Sequence, residues 1–180
     1  MTNKFKEEIN KIFKQTISDW KCPTALDIPS DQDFTKVSSW STEIYYEEYY
    51  DEEINKLVNG RVCYSGGNYT FNEAIAPLIK NAENPREAWI ECATMLFKFL
   101  KHRSLEAIDN ENYLLAIGYI ESLDSQAHYI DTVLGANKMQ QDVTLVDLKE
   151  QLEDLEDLCY SIYYEEYDDD DEYEDEDEEC

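Results

Sequence analysis

Apolar residues recur every three or four positions through most of this chain, the period of a helix buried along one face. Phe5, Ile9, Ile12, Phe13, Thr16, Ile17 and Trp20 share such a face, with Lys and Glu opposite, which predicts a helix over 3–20. Cys22-Pro23 stops it, and Pro29 keeps 22–40 irregular, as a loop packed across the surface or holding a short strand around 34–37. In 41–59, Ile44, Tyr45, Glu48, Tyr49, Glu52, Leu57 and Val58 fit helical spacing better than strand alternation. Ser41 or Thr42 would cap this helix and Gly60 would end it.

RVCYSGGNY at 61–69 reads as a short hairpin turning at Gly66-Gly67, or as a loop. Thr70 and Glu73 form a capping-box pattern for a helix over 71–81, which Pro77 shortens or kinks. Asn84-Pro85-Arg86-Glu87 is a cleaner start, with a cap, a proline in the first turn and an acid at the third position. The helix it opens, about 85–102, carries Trp89, Cys92, Ala93, Leu96, Phe97 and Leu100 on one face and belongs to the core. Residues 104–109 are a turn or its continuation. The next apolar set, Leu114, Ile117, Ile120, Ala127, Ile130, Val133 and Leu134, predicts a helix over 110–134 ended by Gly135. A last helix, capped by Thr144, holds a seam of Leu145, Leu148, Leu152, Leu155, Cys159 and Ile162, with Glu150, Glu153, Asp154, Glu156 and Asp157 outside it.

These elements predict an all-α fold of about six helices in a compact, bundle-like domain over 1–164, with room for a small β-hairpin near 61–69. A disordered, acidic, low-complexity tail over 165–180 follows. Mutual repulsion keeps such a run extended, and burying unpaired carboxylates is costly, so it must face water or cations.

Charge changes the picture from fold to partner. The chain has 180 residues and a formal net charge of −27. Thirteen of its 42 acids lie in 165–179 and all fifteen Lys and Arg precede them, so residues 1–164 still carry −14. A body this acidic repels nucleic acid and anionic lipid and attracts basic proteins. Direct nucleic-acid binding is not expected, because the densest cationic group, Lys4, Lys6, Lys11 and Lys14, is interrupted by Glu7 and Glu8. No signal peptide or membrane-length apolar run appears, and the five cysteines are odd in number and far apart, which suits a reducing, cytoplasmic setting.

The sequence carries no catalytic or metal signature: no Walker loop, no GxGxxG, no HExxH and no CxxC. His102 reads as a surface or helix-terminal residue and His128 as a core-edge or surface one. Acid pairs such as Glu48 with Glu52, Glu150 with Asp154 and Glu153 with Asp157 are expected by number alone in so acidic a chain. No cofactor or metal is implied, and an enzyme with a carboxylate-only site is the least favoured reading. Trp20, Trp89 and Phe97 read as core; Trp40 packs or anchors a partner.

One hexapeptide, IYYEEY, occurs at 44–49 and again at 162–167, and EEINK occurs at 7–11 and 52–56, neither with a surrounding period. Tyrosine rings between carboxylates suit Arg and Lys, which stack on one and pair with the other. The expected partner-binding residues are Tyr45, Tyr46, Glu47, Glu48, Tyr49, Tyr50, Asp51 and Glu52 in the first block and Glu153, Asp154, Glu156 and Asp157 on the last helix. Tyr163, Tyr164, Glu165, Glu166, Tyr167 and Asp168 in the second block complete the set.

The chemistry points to a non-enzymatic acidic binding protein that imitates nucleic acid and occludes the basic groove of a nuclease, restriction or CRISPR effector, or other DNA-binding protein. In composition the chain resembles the small acidic inhibitors by which phages and mobile elements block host defence. The alternative is an acidic chaperone or scaffold for a basic protein, in which the tail dominates. The leucine seam also suits a homodimer.

Overall fold

Two long helices, α3 (Pro85–Asp109) and α4 (Tyr113–Leu134), form a spine that contacts the first, second and fifth helices and the first two strands. The computed structural model describes residues 2–17, 23–51, 56–67 and 69–159, with backbone alone at 16–17, 42–51, 56–67 and 69–70. Around the spine lie α1 (Asn3–Ile12), which widens into a π turn at Phe13–Ile17, α2 (Tyr69–Lys80), α5 (Val143–Glu150) and α6 (152–159). An antiparallel sheet, in the order β1-β2-β3, is built from Thr24–Leu26, Ser39–Asp51 and Lys56–Gly67. The domain is thus mostly helical, with six α-helices among the described residues and an antiparallel hairpin.

The core forms where the helical seams meet. Ile9 and Phe13 from the first helix, Phe71, Ile75 and Ile79 from α2, Trp89, Leu96 and Leu100 from α3, and Ile117, Tyr119, Ile120 and Ile130 from α4 are buried together. Full burial of each large apolar side chain contributes about 1.5–3 kcal/mol. Trp89 also has a polar end to satisfy, and its indole N–H donates to the Asp27 carbonyl at 3.1 Å.

The helix boundaries follow local chemistry. Asn84 accepts from the Glu87 N–H at 3.3 Å and Pro85 opens α3. Pro77 is accommodated within α2. Residues 104–109 continue α3 past His102, so that residue is exposed on the helix side. Two helices end with the same motif. At α4, Gly135 is left-handed (φ 62°), its N–H donates to Thr132 O and that of Ala136 to Asp131 O. At α3, Glu111 takes the same conformation (φ 57°), its N–H donates to Ile108 O and that of Asn112 to Ala107 O. These paired bonds satisfy carbonyls that a helix end would leave open.

Four expectations change. The helix expected over 41–59 is instead strand β2 as far as Asp51 and the start of β3 from Lys56, with 52–55 outside the described residues. In 43–51 the sequence reads Glu, Ile, Tyr, Tyr, Glu, Glu, Tyr, Tyr, Asp, and tyrosine favours a pleated surface over a helix. The hairpin is correspondingly larger than 61–69, with Ile44 opposite Cys63, Tyr46 opposite Arg61 and Asp51 opposite Lys56. Gly66-Gly67 is not its turn but the end of β3, paired with Ser41 and Trp40. The short strand of the long loop is β1 at Thr24–Leu26 rather than 34–37; Phe34 is buried instead, edge-on to Trp89 at 5.6 Å. The last helix starts from Asp142 rather than Thr144 and breaks at Gln151 before resuming as α6. Trp20, Ile162 and the tail over 165–180 lie outside the described residues.

Candidate partner-binding surface

The C-terminal helices owe their position to two carboxylates on or beside α4. Asp131, buried near its end, accepts backbone N–H groups of Lys138, Met139 and Gln140 at 3.0, 3.1 and 2.9 Å, which folds the connection back on the helix. Gln140 in turn donates its side-chain amide to the Asp124 carbonyl and carboxylate, both at 3.0 Å. Asp142 then caps α5, accepting from Leu145 N at 3.2 Å, and pairs with Lys101 of α3 at 2.9 Å. Burial pushes the Asp142 carboxyl up, but hydrogen bonds from Lys101 and Leu145, with the Lys101 charge, outweigh it and hold the group below the usual carboxylate range.

With α5 and α6 so placed, Leu145, Leu148, Leu155 and Cys159 are buried and Leu152 is partly buried against the core. The other side of the same helices carries Asp147, Glu150, Glu153, Asp154 and Asp157, all exposed. None of these five forms an ion pair with a described residue. Lys149, the cation among them, is paired with Asp124 at 2.8 Å. Spacing of three or four residues puts neighbouring carboxylates roughly 5–6 Å apart on a helix surface. Glu156 is only half exposed and is engaged in contacts of its own. Asp147, which precedes Glu150 by one turn, belongs to this row although the expected set omitted it. Its helical spacing from Glu150 and Asp154 was the available signal.

Elsewhere in the body some acids are paired, while others, such as Glu7, Glu8, Glu83, Glu87, Asp109 and Glu111, are exposed. Glu91 pairs with Lys6 at 2.9 Å, Glu106 with Arg103 at 2.6 Å and Asp33 with Lys36 at 3.3 Å. Arg103 also lies over the Tyr119 ring and donates to its hydroxyl at 3.3 Å.

The first tyrosine–acid block is a strand. Alternate positions of a strand share a face, so 43, 45, 47, 49 and 51 read Glu, Tyr, Glu, Tyr, Asp along one side of β2, and 44, 46, 48 and 50 read Ile, Tyr, Glu, Tyr along the other. Tyr45, Tyr49 and Tyr50 stand opposite Val62, Val58 and Leu57, and Glu47 and Glu48 opposite Gly60 and Asn59. Glu52 and the whole second block, Tyr163, Tyr164, Glu165, Glu166, Tyr167 and Asp168, lie outside the described residues. Asp124 ties α4 to α5, while Gln126, two residues on and so about 200° around the helix, holds β1 by hydrogen bonds to Leu26 at 2.7 and 3.3 Å. Helix α5 and strand β1 thus lie on different sides of α4.

His102 and His128 are exposed, as expected. Trp40 is 42% exposed and its indole N–H donates to the Asp27 carboxylate. A groove of about 840 Å³ lies where α1 and α3 begin, lined by Thr2, Phe5, Asn84 and two acids, Glu83 and Glu87. Among the described residues no three His, Cys, Asp or Glu side chains converge as metal ligands, and no helix is long and apolar enough to cross a membrane. No family model, curated protein or solved structure matches the chain.

Proposed function

We propose that the protein is a non-enzymatic acidic competitor that occupies the basic nucleic-acid-binding groove of a partner protein. The observation that carries this reading is the exposed row Asp147, Glu150, Glu153, Asp154 and Asp157, free of ion pairs with described residues and set on a helical frame pinned by Asp131 and Asp142. Fixed carboxylates lose little freedom on meeting a cationic groove, and a nucleic-acid backbone presents charge at comparable density, one per about 3.4 Å along each strand. The acidic run that follows in sequence extends the field.

The test uses the full chain, immobilised, to capture partners from its native host, followed by measurement of nucleic-acid binding by each captured protein. Competitive displacement of nucleic acid that weakens as salt rises, and that is lost when the five acids become Asn or Gln, is the expected result. A captured protein that binds nucleic acid equally well with the chain present rejects the reading.

An acidic chaperone is the second reading, favoured by the concentration of thirteen acids in 165–179. Removal of 165–180 separates the two. Binding then disappears for a tail-driven chaperone and only weakens for a competitor that uses the helical row.

A further inference from the structure

Strand β3 is the outer strand of the sheet. It pairs with β2 on one side, and among the described residues no strand pairs with its other side over twelve residues. An open edge of this length presents a ladder of unpaired N–H and C=O groups, the template for strand addition. The strand that fills its inner side carries IYYEEY, with Ile44 opposite Cys63 through Tyr49 opposite Val58. The same six residues recur at 162–167. Charge favours the match as well. Lys56 and Arg61 are the only charged residues of β3, whereas 162–167 carries two acids and runs into more.

We infer that residues 162–167 of a second copy of this chain add to the outer edge of β3 as a fourth strand, and that reciprocal exchange makes a two-fold homodimer. Each copy offers one β3 edge and one 162–167 segment, so reciprocal exchange between two copies fills both edges through a self-complementary interface. A strand from the same molecule would instead protect β3 at every concentration. This inference does not depend on the proposed function.

Sedimentation of the full chain across concentration and salt, with amide exchange of β3, tests it. Each copy carries −27, so dimerisation should strengthen as salt rises, opposite to the response expected for a basic partner. Alternate β3 amides, those not bonded to β2, should gain protection as the dimer forms. Adjacent residues of a strand point their N–H groups to opposite sides, so one of Tyr163→Pro and Tyr164→Pro removes a ladder donor and should raise the dissociation constant at least about tenfold, whereas Tyr163→Phe and Tyr164→Phe should not. The inference is overturned if the chain stays monomeric at every concentration and salt, if both proline variants dimerise as well as the parent, or if β3 protection is independent of concentration.

Discussion

The side-chain amide of Gln126 completes the backbone pairing of Leu26. It accepts the Leu26 N–H at 2.7 Å and donates to the Leu26 carbonyl at 3.3 Å, across a hundred residues of sequence. Strand β1 has β2 on one side only, and this amide takes the place of a neighbouring strand on the other. Both residues are fully buried, so no water replaces the contact. Gln126→Ala therefore leaves two buried backbone groups unpartnered and should lower stability by about 2–4 kcal/mol, measured by urea unfolding. Loss well below 1 kcal/mol would mean that β1 finds other partners.

A similar argument applies to Asp131, whose carboxylate gathers three consecutive backbone N–H groups. Asp131→Ala should cost about 2–4 kcal/mol and free the connection to α5. Amide exchange separates this from a general loss of stability: Lys138, Met139 and Gln140 should lose protection beyond the global change.

How much of this was legible beforehand differs by element. The start of α3 at Asn84-Pro85 and the stop of α4 at Gly135 were readable because caps and left-handed residues act within a few positions. The leucine seam and acidic face of the last helices were readable because one period describes both. Residues 43–51 were misread because tyrosines and acids in pairs satisfy helical and strand spacing alike, and no apolar face breaks the tie. Gly60, expected to end a helix, lies within β3 opposite Glu47. Gln126 with Leu26, and Asp131 with its loop, carry no sequence signal, since each depends on where the spine places distant backbone.

Stability should respond to acid through Asp142. Its pKa is held below the ordinary carboxylate value of about 3.9 by Lys101 and the α5 N–H groups, against burial. A group whose folded pKa is depressed stabilises the fold fully above its unfolded pKa, and that contribution is lost as pH falls through the folded value. Lys101→Met removes the ammonium that pairs with Asp142 and that also lies 5.6 Å from the Phe97 ring centre. The stability difference between parent and variant should be constant near neutrality and shrink below about pH 4. A difference that persists unchanged at lower pH would assign the effect to packing alone.

Cys92 offers a readout of opening. It is fully buried, and burial followed by the charge of Glu91 pushes its thiol far above the ordinary range. The thiolate is the reactive form, so alkylation in the native state near neutral pH should proceed only as fast as the fold opens. Peptide mapping should find Cys92 labelled last under native conditions and promptly in urea. Prompt labelling in the native state would contradict its burial.

Glu111 is the position where substitution should improve the protein. It closes α3 in the left-handed conformation that Gly135 adopts after α4, with the same pair of backbone bonds. An L-residue with a Cβ pays roughly 1 kcal/mol there that glycine does not. A carboxylate at a helix C-terminus also faces the negative end of the helix dipole, within a chain already strongly acidic. Glu111→Gly should therefore raise stability by about 0.5–1 kcal/mol, the loss of unfolded-state restriction offsetting part of the gain. Glu111→Ala removes the charge but keeps the Cβ, so urea unfolding of the two variants divides the effect. If the alanine variant matches glycine, electrostatics dominates; if neither exceeds the parent, backbone strain at this turn is negligible.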